Sequence, residues 1–198
     1  MTERCAWAGT AAIYVTYHDE EWGVPEWDSR ALWEKLVLDG FQAGLSWITI
    51  LKKRDNFRAA FAGFDPYVVA GWGEAEVQRL LGDSGIIRHR GKIEATITNA
   101  RAWAEIEARQ GFDRFLWDYV DGRPLQSDFA TQAEVPPSTP LSERVSKDLK
   151  KAGFRFCGPT IVYAFMEAVG MVNDHVTTCH RHGPCAAMGK TSGLRAGG

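Results

Sequence analysis

Apolar residues along the chain recur mostly at intervals of three and four, the spacing of helices that bury one face. Asp28-Ser29 is placed to cap a helix carrying Leu32, Trp33, Leu36 and Val37. Ser46 precedes a second apolar set, Trp47, Ile50, Leu51, Phe57 and Phe61, near helical spacing. Glu74 to Leu81 predicts a short helix that stops near Gly85. Lys92 to Arg109 places Ile93, Ile97, Ala100, Ala104 and Ile106 on one face and ends at Gly111. Residues 112–120 predict another short helix, holding Phe115, Leu116 and Tyr119. The polar, proline-bearing stretch from Asp121 to Ser138 reads as a loop. Thr139-Pro140 then supplies an N-cap with proline at the first helical position. Leu141, Val145 and Leu149 form a stripe that Gly153 ends, and Pro159 opens a helix through Ile161, Phe165 and Val169 to Gly170. No alternating strand pair and no repeat is evident. The predicted fold class is all-α.

A chain of 198 residues suits one well-buried core. One domain is expected over 1–185, with 186–198 as a flexible tail. The 45% hydrophobic and 24% charged content is that of a globular protein. No apolar run approaches the roughly 20 residues of a membrane span, and the N-terminal residues lack the apolar stretch of a secretion signal. Without an export signal, the four cysteines (Cys5, Cys157, Cys179, Cys185) point to reduced thiols and metal binding rather than disulfides. A cytoplasmic monomer is the expectation.

Two metal-type half-sites lie at the chain's ends. Cys5 and His18 form one, and His175 and Cys179 the other, the latter spacing sharing a face if the segment is helical. Two thiolates and two imidazoles make a closed tetrahedral zinc set, structural rather than catalytic. Coincidence also produces such spacings in a chain with four Cys and five His.

The net charge of −2 does not advertise a nucleic-acid partner, but its distribution does more. Basic clusters occur at Lys52-Lys53-Arg54, at Arg88-His89-Arg90 with Lys92, and from Arg144 through Lys147, Lys150 and Lys151 to Arg155. The last surrounds a turn between two helices, bracketed by Gly153 and Gly158 and followed by Pro159-Thr160. Glycines that admit close approach, a helix N-terminus and adjacent cations together suit a sequence-independent phosphate clamp. An ordinary helical corner carries the same residues. The stretch 85–92 is either a second backbone contact or a connector.

Five of the eight tryptophans, Trp7, Trp22, Trp27, Trp33 and Trp47, fall in the first quarter of the chain beside Tyr14 and Tyr17. Asp39, Gln42 and Ser46 sit among them. Aromatic walls with one carboxylate suit a flat, polar, cationic ligand such as a nucleobase, which would stack on the rings and donate from its edge. Trp27 and Trp33 are expected to fill the core instead.

Four long motifs in order make the chain recognisable: residues 17–25 (Tyr-His-Asp-Glu-Glu-Trp-Gly-Val-Pro), 42–47 (Gln-Ala-Gly-Leu-Ser-Trp), 85–93 (Gly-Ile-Ile-Arg-His-Arg-Gly-Lys-Ile) and 172–175 (Val-Asn-Asp-His). They closely resemble the 3-methyladenine DNA glycosylase I family of the helix-hairpin-helix glycosylases, a resemblance running from Arg4 to about Cys179. It implies excision of N3-methyladenine from alkylated double-stranded DNA, with free 3-methyladenine as product and no strand-cleaving lyase step. It also implies one structural Zn2+ held by Cys5, His18, His175 and Cys179; by residue type, His180, His182 and Cys185 in the tail after Cys179 are rival ligands.

On this reading the hairpin (Lys150, Lys151, Gly153, Arg155, Gly158, Thr160) holds phosphates, and Gly44-Leu45 fills the gap left by a flipped base. Trp7, Tyr14, Tyr17, Trp22 and Trp47 enclose that base, and Asp39 and Gln42 read its edge. The family pattern has Glu where this chain has Asp39, a carboxylate with one methylene less reach. Asp174 lies near where the wider superfamily carries a catalytic aspartate. It is read here as supporting His175 or capping a helix.

Overall fold

The computed structural model describes residues 3–192, and among these helices dominate. The helices are α1 (Ala12–Glu20), α2 (Ser29–Gln42), α3 (Trp47–Leu51), α4 (Arg54–Ala60), α5 (Pro66–Ala70), α6 (Glu74–Gly82), α7 (Arg90–Gln110), α8 (Phe112–Trp117), α9 (Pro140–Lys151), α10 (Pro159–Ala168) and α11 (His182–Ser192). Two-residue strands β1 (Leu125–Gln126) and β2 (Val172–Asn173) pair in parallel, Leu125 opposite Val172. The mostly helical expectation holds.

The predicted caps act as caps. Asp28 accepts from the Arg30 and Ala31 amides, and Thr139 accepts from Ser142 at the start of α9. Gly111, Gly153 and Gly170 end their helices with φ of +87°, +102° and +70°, conformations that glycine adopts without strain. The apolar stripes meet in one core, where α7 packs against α2, α5, α6 and α8, and α10 against α2 and α9. Trp33 and Trp103 are fully buried within it. Trp27 stacks on Trp117 at 3.7 Å, so both tryptophans assigned to packing do pack.

Besides the short α5, which was not foreseen, four features differ from expectation. The helix foreseen from Ser46 to Phe61 breaks at Lys52-Lys53 into α3 and α4, because the chain turns there to keep both Leu51 and Phe57 inside. The 121–138 loop contains β1, which fastens it to the segment after α10. α1 was not foreseen: its N-cap Ala11 offers no side-chain acceptor and only Tyr17 and His18 are buried. α11 continues past residue 185 into the expected tail, with Gly189 packed against Pro124. The remainder of that expected tail, residues 193–198, lies outside the described residues.

Of the middle basic cluster, Lys92 is internal, while Arg88, His89 and Arg90 are exposed. Lys92 is buried and donates to the carbonyls of Phe41 (2.9 Å) and Ala43 (2.6 Å) at the end of α2. Arg90 is paired with Glu74 and Glu94. The stretch 85–92 joins α6 to α7, fixed at its inner end by Lys92 and leaving Arg88 and His89 at the surface. We expect Lys92→Met, which keeps the apolar stem but leaves those carbonyls unpaired, to cost about 2–3 kcal/mol in chemical denaturation.

Candidate functional site

α1 presents Tyr14, Tyr17 and His18 on one face, at spacings of three and four. The Tyr14 hydroxyl accepts from the Ile48 amide and so helps to start α3. Trp7 lies edge-on to Tyr14 at 5.5 Å and to Trp22 at 5.0 Å, and Tyr17 lies 5.4 Å from Trp47. These rings enclose a cavity of about 250 Å³, whose walls also include Lys35, Asp39, Gln42, Gln132, Ala164, Glu167 and Ala168. Drug-sized ligands usually occupy roughly 300–1,000 Å³, so this space suits a single small heterocycle. Each aromatic residue assigned to substrate, together with Asp39 and Gln42, lines it.

Asp39 is 1% exposed. Its Oδ1 accepts from Lys35 one helical turn earlier, and the Lys35 ammonium lies 3.9 Å from the Trp47 ring centre. Burial pushes the Asp39 carboxyl up from its ordinary value while Lys35 pulls it down, and burial pushes Lys35 down against the pull of Asp39. The other carboxylate oxygen, Oδ2, is buried and makes no hydrogen bond among the described residues. The same is true of Trp47 Nε1 and Gln132 Oε1. Unpaired buried polar atoms are costly, and three on the walls of one cavity are a set of fixed donors and acceptors for a polar ligand.

Lys35, Gln132 and Glu167 were not foreseen. Lys35 had a signal, its i, i+4 relation to Asp39. Glu167 had another, a lone acid in the apolar run from Ile161 to Val169. Gln132 had none, because only the folding of the 121–138 loop brings it to the cavity.

The two metal-type half-sites do come together. Cys5, His18, His175 and Cys179 are all buried, with one ligand atom of each within 4.8 Å of the others. His175 Nδ1 lies 3.6 Å from Cys5 Sγ and 3.4 Å from Cys179 Sγ, and His18 Nε2 lies 3.5 Å from Cys179 Sγ. Tetrahedral bonds of about 2.3 Å to sulfur and about 2.0–2.1 Å to nitrogen separate S from N by about 3.5 Å. The donor set therefore fits a metal ion.

The remaining ring nitrogens are tied down. His18 Nδ1 donates to Asp19 (2.8 Å), which Arg4 clasps, and His175 Nε2 donates to the Trp22 carbonyl (3.0 Å). A hydrogen bond from Cys5, reinforced by both imidazoles, holds Cys179 far below the ordinary thiol range and leaves Cys5 far above it. The segment holding His175 and Cys179 is a turn rather than a helix, with the Cys179 amide bonded to the Val176 carbonyl (2.8 Å). The rival ligands are committed elsewhere or lie outside the cluster: His180 bonds the Glu3 carbonyl, His182 the Ser127 carbonyl, and Cys185 is buried beside Gly23.

Asp174 does not support His175. It accepts from Ser127 (2.7 Å) and Tyr163 (2.6 Å), and it does not line the cavity.

The residues assigned to DNA occupy two exposed turns. Gly44, with φ of +81°, and half-exposed Leu45 stand between α2 and α3. Lys150, Lys151, Arg155 and Thr160 are exposed around the α9–α10 turn. Asn99 fixes that turn through two bonds to the Arg155 backbone (2.8 and 3.1 Å), and Gly40, next to Asp39, packs on Phe156.

Comparison with known proteins follows the same lines. The methyladenine glycosylase family pattern matches residues 7–182. The chain is 53% identical over 178 residues to DNA-3-methyladenine glycosylase 1 of Escherichia coli K12, covering 89% of this chain and 95% of that one. A crystal structure of 3-methyladenine DNA glycosylase I superposes with a TM-score of 0.90 at 54% identity, covering 91% of this chain and 100% of that one. A Tyr-to-Phe variant of 3-methyladenine DNA glycosylase I in complex with 3-methyladenine superposes with a TM-score of 0.88 at 37% identity, covering 90% and 97%.

Removing the partner of a buried charge tests the electrostatics of the cavity. Lys35→Met should cost about 3 kcal/mol at neutral pH, because the Asp39 carboxylate is left alone in the interior. With the folded-state value of Asp39 raised, the folded state of the variant takes up a proton first. The loss should therefore shrink as pH falls toward 3.8. Denaturation at neutral and mildly acidic pH reads both effects.

Proposed function

The chain belongs to the methyladenine glycosylase family, and from that membership we propose that it excises N3-methyladenine from alkylated duplex DNA by hydrolysing the N-glycosidic bond. The observation that carries this reading is the aromatic cavity with a free Asp39 oxygen on its wall. Methylation at N3 makes the adenine cationic. Such a base stacks on electron-rich rings and donates its edge N–H groups to a carboxylate.

The lesion leaves the duplex at a cost of a few kcal/mol, less for a damaged base than for a sound one. Leu45 on its exposed turn fills the space left in the stack. Trp7, Tyr14, Tyr17, Trp22 and Trp47 hold the base, with Asp39 and Gln42 at its edge. When the bond from the sugar C1′ to the base nitrogen breaks, both electrons stay with the base and cancel its charge. The base leaves as a neutral molecule and so needs little acid catalysis, while water adds to C1′ and releases its proton to solvent, with no lysine forming a Schiff base. Asp39 stabilises the positive charge along this path from a site where solvent screening is weak.

The α9–turn–α10 unit acts as the helix-hairpin-helix. Gly153, Gly158 and the start of α10 approach a phosphate, and Lys150, Lys151, Arg155 and Thr160 surround it. α10 links this clamp to the cavity, with Pro159 at one end and Glu167 about 12 Å along the axis at 1.5 Å per residue.

A single Zn2+ suits the two sulfurs and two imidazoles better than a hard, oxygen-seeking ion. Bound there, it would cross-link the two ends of the chain, with no open position for substrate. A monomer, working in the bacterial cytoplasm where the DNA lies, completes the proposal; no helix among the described residues is long and apolar enough to cross a membrane.

Release of free 3-methyladenine from methylated duplex is the direct assay. Asp39→Asn should lower the single-turnover excision rate about a hundredfold with duplex affinity nearly unchanged; an unaltered rate removes Asp39 from the reaction. Metal analysis should find about one zinc per chain, lost together with much of the folding stability in Cys179→Ala. Metal-free protein that unfolds like the native form would refute a structural ion.

A further inference from the structure

The cavity holds a second acid that the reading above leaves unused. Glu167 projects from α10 on the face it shares with Ala164 and Ala168, and all three line the cavity opposite α2. It is half-buried, while Asp39 is fully buried. Asp39 Oδ1 accepts from Lys35, and Oδ2 is the oxygen left without a partner among the described residues. The exocyclic amino group of an adenine carries two N–H bonds. Those two N–H bonds diverge, so one short carboxylate on one wall does not meet both.

We propose that Glu167 is a specificity-determining residue, supplying a second acceptor beside Asp39 Oδ2 for the amino edge of the flipped purine. This rests on the excision reading above and names the group that tells an amino purine from an oxo purine. Behind Glu167 stands Asp174, both of whose oxygens already accept from Ser127 and Tyr163. Burial, and then the charges of Asp174 and Asp39, push the Glu167 carboxyl well above the ordinary range, against the pull of Lys35. A side-chain hydrogen bond with Asp174 pushes it the same way. An amide keeps the shape of this carboxyl and its carbonyl acceptor, and can replace it atom for atom. A 6-oxo purine would set its own lone pairs against those of Asp39 and Glu167, and a site built for hydrogen bonding rejects such a mismatch.

The test is equilibrium binding of two free bases, 3-methyladenine and its 6-oxo counterpart 3-methylhypoxanthine, followed through the fluorescence of the cavity tryptophans. Native protein should prefer 3-methyladenine by at least about tenfold. Glu167→Gln should keep both that affinity and that preference. Glu167→Ala should bind 3-methyladenine about tenfold more weakly and 3-methylhypoxanthine no more weakly than the native protein, so the preference collapses. Three results would overturn the assignment: Ala retaining the preference, Ala losing both bases equally as a purely structural defect would, or Gln behaving like Ala. Native protein that binds 3-methyladenine without preferring it also overturns this inference alone. Native protein that binds neither base defeats the excision reading itself, and this inference with it.

Discussion

Two thiols and two imidazoles from opposite ends of the chain converge on one point, and the rest of the site is built outward from it. His18 belongs to that cluster and to α1, whose same face carries Tyr14 and Tyr17. Anchoring His18 sets the rotation of a helix that has little amphipathic character of its own, and so aims both tyrosines at the cavity. His175 donates to the Trp22 carbonyl and lies edge-on to the Trp22 ring at 4.5 Å, while Trp7 lies 5.3 Å from His18. The aromatic cage leans directly on the cluster. An ion there would act on recognition by holding the rings rigid, with no part in bond breaking.

A second constraint is electrostatic. A pocket for a cationic base wants negative charge, yet burying a bare carboxylate costs several kcal/mol. Here the charge is shared: Lys35 steadies one oxygen of Asp39, and the other remains free. The shorter Asp39 arm comes with this Lys35 partner and with the Glu167 carboxyl across the cavity. The lining is a mutually adjusted group rather than a single recognition residue.

The cavity and the turn that would hold the backbone are mechanically linked. Gly40 follows Asp39 and packs on Phe156, Asn99 grips Arg155, and Lys92 ties α7 to the end of α2 just before Gly44-Leu45. A phosphate held at the start of α10 and a base held near its end are thus separated by one short, rigid helix.

Much of this was legible from the chain. Helices with a strong apolar stripe and a capping residue, such as those opened by Asp28 and Thr139, declare themselves because local physics alone defines them. The clustering of tryptophans around Asp39 and the Cys/His spacings announced a ring-walled pocket and a metal-type set. What stayed hidden depended on contacts between distant segments. α1 has no side-chain cap and few buried residues, so only the cluster at His18 and the cage make it worth forming. Gln132 reaches the cavity because β1 pins its loop to β2. Asp174 turned toward Tyr163 and Ser127 rather than His175, and Lys92 turned inward to cap α2 instead of outward toward a backbone. Residue order thus determined which chemical groups the protein possesses and where its strong helices run. Tertiary structure alone decided which of those groups face one another, because the side a polar side chain takes depends on the unpaired partner it finds after the chain has closed on itself.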